Sequence, residues 1–173
     1  MTNVVKASRP AGAAANFYRA NTWRREDSIG YLMGRSFTLM KDAVEEELEP
    51  TGLTHAQWVP LLKLYHGEAS TVAELGRTCQ IDAGAKTRTL DRLEMKGLVQ
   101  RVRSSEDRRV VRVELTDEGR DIAREIPAAL SRAMNALLAG FTHEEWQTLK
   151  SLLSRVLANA VELQVDREGN NPE

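Results

Sequence analysis

Three long segments of the chain carry hydrophobic residues at intervals of three or four positions, a spacing typical of amphipathic helices. The first covers residues 28–49 and begins at a serine, a residue type that caps helix N-termini. The second covers residues 116–138, with Pro127 in its middle, where we expect a bend. The third covers residues 142–163 and opens with a Thr-x-x-Glu capping box. The pattern therefore predicts one long helix near the start of the chain and two near its end.

Shorter helical patterns lie between the long ones. Residues 54–66 open with a Thr-x-x-Gln capping box, residues 71–79 form a second short segment, and residues 83–96 form a third, which Gly97 ends. Two short helices joined by a tight turn are typical of a helix-turn-helix. The last two segments are therefore predicted to be its support helix and its recognition helix.

Residues 98–103 and 110–115 alternate between apolar and polar side chains, which predicts two half-buried strands. The six residues between them are all polar or charged, so we expect them to form an exposed turn. A basic helix followed by a hairpin with arginines at its tip is typical of a winged helix-turn-helix. That fold places a helix in the DNA major groove and the wing beside it, on the minor groove or the backbone.

The predicted fold is mainly α with a small β-hairpin wing: a winged helix-turn-helix with long terminal dimerisation helices. Those helices are too long and too apolar to be covered by the short elements alone. Regulators of this shape read two half-sites as two-fold dimers, so we expect an obligate homodimer. The predicted regions are an N-terminal arm (1–27), a helical dimerisation region (28–52 and 116–165), a DNA-binding lobe (53–115) and a flexible tail (166–173).

Composition is consistent with this prediction. The chain has 173 residues, of which 42% are hydrophobic, enough for one domain with a core. The single cysteine, Cys79, excludes a disulfide framework within the chain and a multi-cysteine metal site. No apolar run reaches membrane-spanning length and nothing resembles a secretory signal, so we expect a cytoplasmic protein with no membrane partner.

The net charge of −1 conceals a strong segregation of charge. Between Lys86 and Arg112, nine lysines and arginines stand against four acids, whereas between Lys41 and Glu49 one lysine stands against five. Attraction to phosphate depends on the local field rather than on the total charge. A solvated helix face is the ordinary explanation of a charged segment, but the adjacent wing pattern favours double-stranded DNA as a partner.

The candidates for base readout lie on the predicted recognition helix. Arginine binds guanine bidentately and threonine reaches a thymine methyl group, so we select Thr87 and Arg88, with Lys86 and Arg92 as further candidates. For each arginine a phosphate contact is the alternative, and we favour it for Arg92. Arginines in the wing are expected at the minor groove. The full predicted DNA-binding set is Ser70, Thr71, Lys86, Thr87, Arg88, Thr89, Arg92, Arg103, Asp107, Arg108 and Arg109.

Four stretches of this region resemble the signature of the MarR family of bacterial transcription regulators. They are LTHAQW at residues 53–58, LEMKGLV at 93–99, DRR at 107–109 and LTDEG at 115–119. The resemblance implies a homodimer in which the first, fifth and sixth helices interdigitate. It also implies an ion pair that holds the wing, with Asp107 bound to Arg109 and Arg108 directed to DNA, or with the two arginines exchanged.

The same resemblance implies a small aromatic acid or phenolic effector, bound in a cleft between the dimerisation region and the DNA-binding lobe. Arg35 or His55 is expected to pair with a carboxylate, Ser28 or Ser36 to bond a hydroxyl, and Trp58 to stack on a ring. Ordinary core packing, or an ion pair at the dimer interface for Arg35, is the alternative. The predicted pocket consists of Ser28, Met33, Arg35, Ser36, His55, Trp58, Pro60 and Leu61.

Two other functions stay open at this point. A regulator switched by cysteine oxidation needs a reactive thiol, but Cys79 ends a support helix, where a cysteine is usually a small buried hydrophobe. A winged helix also serves as a protein-interaction module without a small-molecule ligand. We expect no enzyme and no cofactor, because three histidines, one cysteine and no glycine-rich phosphate loop form no coherent active site.

Overall fold

The structure is a computed structural model that describes residues 16–79, 83–103 and 110–169. Within these residues lie six α-helices, one short 3₁₀ helix and one antiparallel hairpin, so the predicted mainly α fold with a small wing is confirmed. In chain order the elements are α1 (Ile29–Glu47), the 3₁₀ helix (Glu49–Thr51), α2 (His55–Tyr65), α3 (Val72–Thr78), α4 (Ala83–Met95), β1 (Val99–Arg103), β2 (Val111–Leu115), α5 (Asp117–Leu137) and α6 (His143–Gly169).

The described residues form two compact units. The larger unit, Ile29–Leu137, holds every element from α1 to α5. The smaller unit combines residues 16–28 with residues 138–169, which include α6. The predicted division into a dimerisation region and a DNA-binding lobe stays a prediction, since it concerns contacts with a second copy.

Apolar side chains from all five helices of the larger unit meet in one core, together with residues of the connecting turns such as Leu53 and Ala69. Leu61 of α2, Leu93 of α4 and Ile126 of α5 are completely buried. α1 contributes Val44 and packs along α5, and Leu48, the residue directly after α1, is buried in the same core. Complete burial of one leucine contributes about 1.5–3 kcal/mol, so the core fixes the orientation of α4 against α2 and α5.

The two wing strands pair in the register that their alternation predicts. Val99 lies opposite Leu115 and Arg103 lies opposite Val111. Val99, Val113 and Leu115 are buried, and the polar side chains between them point outward. The wing is therefore anchored at the Val99–Leu115 end, next to the core.

A short backbone pairing, which the sequence pattern did not indicate, connects the residues before α3 to the second wing strand. Thr71 forms an isolated antiparallel bridge with Arg112, and the Val113 N–H donates to the Ser70 carbonyl at 2.9 Å. The residues that begin α3 are thereby hydrogen-bonded to the second wing strand.

The hairpin joins α5 through a very close backbone contact. The Thr116 hydroxyl donates to the Gly97 carbonyl at 2.6 Å and accepts from the Gly119 N–H at 3.0 Å. A Cβ atom at Gly119 would lie 1.9 Å from the carbonyl oxygen of Leu98. Position 119 therefore requires glycine, and α5 begins directly against the backbone that follows α4.

Two predicted capping boxes are confirmed by their hydrogen bonds. The Thr54 N–H donates to Gln57 Oε1 at 3.2 Å, and the Thr142 N–H donates to Glu145 Oε2 at 2.8 Å. α5 passes through Pro127 as one continuous helix, and a bend at that residue stays a prediction.

α6 carries many exposed apolar side chains. Leu157 is 64% exposed and Val161 is 52% exposed, and five further large apolar residues of the helix are at least 39% exposed. In the same unit, Phe17 and Trp23 are exposed as well. These side chains leave a large apolar area on the surface of the smaller unit.

Candidate nucleic-acid interface

α4 has one face in the core and another in solvent. Leu90 and Leu93 are buried, whereas Thr87, Arg88 and Arg92 are exposed. Residues four apart on a helix are neighbours, so the two arginines share the outer face. An outer face with guanidinium groups and a threonine is suited to reading base edges and binding phosphate.

The other predicted DNA-contact residues on α4 and the wing differ in their exposure to solvent. Thr89 is only 9% exposed, so its hydroxyl lies on the buried side of α4 and is not presented to a phosphate group. Arg103, the last residue of β1, is exposed. The side chain of Lys86 and the wing residues Asp107, Arg108 and Arg109 lie outside the described residues.

The start of α3 is held by a carboxylate. Glu74 Oε2 accepts hydrogen bonds from the Ser70 N–H (2.8 Å), the Ser70 hydroxyl (3.0 Å) and the Thr71 N–H (3.1 Å). These bonds, led by those from Ser70, lower the pKa of the Glu74 carboxyl. The Thr71 hydroxyl accepts from the Glu74 N–H at 3.1 Å, and its interaction with the carboxylate also contributes to lowering the Glu74 pKa. Glu74 therefore engages both predicted anchors, and of the two Ser70 is the more exposed.

Arg101, which sequence reasoning missed, links the recognition helix to the wing. Its guanidinium nitrogens lie 2.7 Å from Asp91 Oδ1 and 2.9 Å from Glu94 Oε2. The usable signal was the presence of two acids three residues apart on an otherwise basic helix. Exposed ion pairs are worth about 0–1 kcal/mol each, so this pairing contributes more to the orientation of the wing than to stability.

An open groove of about 690 Å³ lies between α3, α4 and the wing strands. Its walls include the polar residues Thr71, Thr87 and Arg101 and the apolar residues Val110 and Val111. Thr87 lines this groove and also belongs to the outer face of α4, so the groove adjoins that face.

Two predicted pocket residues meet at the first turn of α2. The His55 and Trp58 rings are perpendicular with centroids 5.1 Å apart, and Phe37 of α1 meets His55 edge-to-face at 5.8 Å. His55 Nδ1 and Trp58 Nε1 are buried without a hydrogen-bond partner in the described part of the chain. Buried unpaired polar atoms are costly, so a ligand that paired with them would gain affinity.

The protonation state of His55 changes its expected role. Burial lowers the pKa of its imidazole, and the opposing effect of Glu45 is smaller. The ring is therefore neutral at pH 7, where one nitrogen donates and the other accepts a hydrogen bond. His55 is suited to hydrogen-bond a ligand rather than to supply a positive charge for a carboxylate.

The remaining predicted pocket residues do not share one surface. Pro60 and Leu61 are fully buried in the core, whereas Met33, Arg35 and Ser36 are exposed on α1. Ser28 belongs to the smaller unit, and its hydroxyl donates to the Arg25 carbonyl at 2.9 Å.

Cys79 is half-buried and packs against the core. Burial raises the pKa of its thiol, which disfavours the reactive thiolate. The described residues include no group of three or more His, Cys, Asp or Glu side chains arranged to hold a metal ion. None of the helices in the described ranges combines the length and the apolar character needed to cross a membrane.

The sequence and the fold are similar to those of known regulators. A model of the MarR family matches residues 53–111. The apo form of MarR from E. coli is 32% identical over 75% of this chain and 97% of that chain, with a TM-score of 0.66. A cysteine-to-serine mutant of the same protein complexed with operator DNA is 32% identical over 75% of this chain and 93% of that chain, with a TM-score of 0.69. BpsR from Bordetella bronchiseptica, whose DNA binding is regulated by 6-hydroxynicotinic acid, shares the fold at 22% identity over 78% of this chain and 96% of that chain, with a TM-score of 0.69. The chain belongs to the MarR family of transcription regulators.

Proposed function

We propose that this regulator binds a pseudo-palindromic operator as a homodimer, represses transcription there, and is released by a small aromatic acid or phenol. The observation that carries the proposal is the outer face of α4, where Thr87, Arg88 and Arg92 are exposed above a buried leucine face. The E. coli relative complexed with operator DNA supports DNA as the partner of this face.

The exposed apolar side chains support the homodimer. Six large apolar residues of α1 and seven of α6 are at least 39% exposed. Obligate dimer interfaces resemble a domain core cut in half, and exposed apolar surface of this extent marks an interaction site. A two-fold dimer presents two α4 helices to two half-sites one helical turn apart.

The ring cluster that His55 and Trp58 form at the start of α2 supports the aromatic effector. A planar ligand with hydrogen-bonding oxygen atoms matches the unpaired Trp58 Nε1 donor and the unpaired His55 Nδ1. The neutral state of His55 favours a hydroxyl or carbonyl at that nitrogen. α1 supplies two cations for a carboxylate: Lys41, whose charge acts on the His55 ring, and the exposed Arg35. The aromatic acid that regulates BpsR belongs to the same chemical class.

An effector releases the protein from DNA only if it binds the conformation that cannot bind DNA more tightly than the conformation that can. Such a ligand changes the separation of the two recognition helices, so that they no longer match the half-site spacing. The effector acts only through this difference in affinity between the two states.

DNA binding is tested by selecting duplexes from a random library and measuring their affinity by fluorescence anisotropy at several salt concentrations. We expect a palindromic consensus and an affinity that falls steeply with salt, because phosphate contacts release counterions. Binding without salt dependence, or no selected consensus, would instead favour a protein-interaction module.

The effector is tested by thermal-shift screening of the purified protein against benzoates, hydroxybenzoates, cinnamates and 6-hydroxynicotinate. We expect at least one compound that raises the melting temperature and releases the selected duplex. If no compound does both while DNA binding is intact, His55 and Trp58 have a packing role only.

A further inference from the structure

Lys96 connects the end of the recognition helix to the start of α2. It follows Met95, the last residue of α4, and its own N–H still donates to the Arg92 carbonyl at 3.1 Å. Its ammonium group donates to the Gly52 carbonyl at 2.7 Å and to Gln57 Oε1 at 3.2 Å. The bond to Gly52 has the short length typical of a charge-assisted hydrogen bond. One side chain therefore spans 44 residues of sequence to hold two elements together.

The acceptor atom on Gln57 has a second function. The same Oε1 accepts from the Thr54 N–H at 3.2 Å and so completes the capping box that begins α2. Gln57 is only 6% exposed, so few alternative partners are within its reach. A displacement of the first turn of α2 must therefore change the bonds that Lys96 makes.

The first turn of α2 also carries the ring cluster. His55 and Trp58 lie on either side of Gln57 in sequence, and the His55 N–H donates to Glu45 of α1 at 2.6 Å. The turn is thus bonded to α1 through Glu45 and to α4 through Lys96. The two rings with the buried, unpaired nitrogens therefore belong to the turn that both attachments hold.

We infer that Lys96 is the positioning residue that couples the His55–Trp58 cluster to the recognition helix. Occupancy of the cluster moves the first turn of α2, and the Lys96 bonds transmit that movement to the end of α4. This inference rests on the proposed function, since it specifies how the effector site and the DNA-binding face communicate. Coupling between two sites is reciprocal, so DNA bound to α4 must also alter the surroundings of the cluster.

Reciprocity permits a test that needs no effector. The chain has three tryptophans, and replacing Trp23→Phe and Trp146→Phe leaves Trp58 as the single fluorescent reporter in the ring cluster. Emission of this full-length protein is recorded during titration with a selected duplex, while anisotropy of the labelled duplex gives its affinity independently. The titration is repeated with Lys96→Met and Lys96→Arg in the same background.

We expect duplex binding to shift the Trp58 emission of the parent protein. Lys96→Met should retain the affinity for the duplex within about threefold, while the Trp58 response falls by at least half. Lys96→Arg keeps a cationic donor and should restore most of the response. The control is Lys63→Met, because Lys63 pairs with Glu68 at 2.8 Å near the other end of α2 and should leave the response unchanged.

The alternative outcomes contradict either the coupling role alone or the coupling role together with the proposed function. A Trp58 response that persists in Lys96→Met, or that is absent in the parent protein although the duplex binds, overturns the coupling role. An equal loss in Lys63→Met shows that charge alone is responsible and also overturns it. A parent protein that binds no selected duplex overturns the proposed function and this inference together. If no effector is found, the change in Trp58 emission on duplex binding still decides whether Lys96 couples the two sites.

Discussion

At Gly119 the absence of a side chain decides how two elements meet. The Leu98 carbonyl occupies the space that a Cβ atom would take, at a distance of 1.9 Å from it. The Leu98 carbonyl also accepts from the Thr116 N–H at 3.2 Å, so it cannot move away without loss of that bond. The Leu-Thr-x-x-Gly pattern is thus explained by the space available at its last position.

Replacing Gly119→Ala should destabilise the protein by more than about 3 kcal/mol, because the clash is with backbone rather than with a flexible side chain. The measurement is the urea unfolding midpoint. Gly67→Ala is the matched control: Gly67 has a φ of 68° but open space around it, so that variant should lose only about 1–2 kcal/mol from strain. Equal losses in the two variants would contradict the clash.

Arg88 is the side chain on which base readout is predicted to depend most. Arg88→Ala should weaken binding to the selected duplex by about 1–3 kcal/mol and relax the base preference at one position of each half-site. Anisotropy titrations against single-base variants of the duplex measure both effects. Arg124→Ala removes an exposed arginine of α5 that pairs with Asp121, and it should change neither. An Arg88→Ala protein with unaltered affinity and base preference would rule out the assigned role.

At the scale of elements, the start of α3 depends on the charge of one carboxylate. Glu74 has a lowered pKa because it accepts hydrogen bonds from Ser70 and Thr71. Its charged form therefore stabilises the folded state above the unfolded pKa, and this contribution is lost as pH falls through the lowered folded value.

Glu74→Gln should accordingly be less stable than the parent protein at pH 7, with a difference that closes as pH falls below 4.5. Unfolding midpoints in urea between pH 7 and pH 3 measure it. Ser70→Ala removes one of the donors, so in that background the same substitution should show a smaller difference. A difference that is unchanged at pH 3 would mean that the Glu74 charge is not its cause.

The elements themselves could be predicted because local residues determine them. The box of Thr54 with Gln57 and the glycine after α4 act on their own turns, so the start of α2 and the end of α4 followed from the sequence. In contrast, α6 extends to Gly169, six residues beyond its predicted end at residue 163 and into the predicted tail. The Arg101 and Lys96 bonds could not be predicted, because each joins residues whose proximity depends on the packing of the core. The bridge between Thr71 and Arg112 was missed for the same reason.

The candidate site was predictable to a similar degree. Helical spacing correctly placed Arg88 and Arg92 on the outer face, but it did not reveal that Thr89 faces inward. The effector residues were chosen by the resemblance alone, and the structure brings only His55 and Trp58 of that set into ring contact. Whether a side chain lines a cleft or fills the core, as Leu61 does, depends on the neighbouring helices.

At the scale of the whole molecule, the apolar surface of α6 predicts the oligomeric state. Leu157→Glu places a charge on a side chain that is 64% exposed, so it should leave the helix intact but prevent its burial against a second copy. Sedimentation velocity should show a monomer, and affinity for the selected duplex should fall by at least tenfold. Asn159→Glu adds the same charge to the same helix and should stay dimeric. A dimeric Leu157→Glu protein would exclude this part of α6 from the interface.

The backbone contact at Gly119 also limits how far α5 can tilt relative to the wing. α5 has 21 residues, and at 1.5 Å per residue it is about 31 Å long. A tilt of only about 5° at its first turn would displace its far end by about 3 Å, close to the 3.4 Å rise between successive base pairs. A fixed orientation of α5 relative to the backbone that follows α4 would therefore allow the protein to distinguish operators whose half-sites differ in spacing by a single base pair.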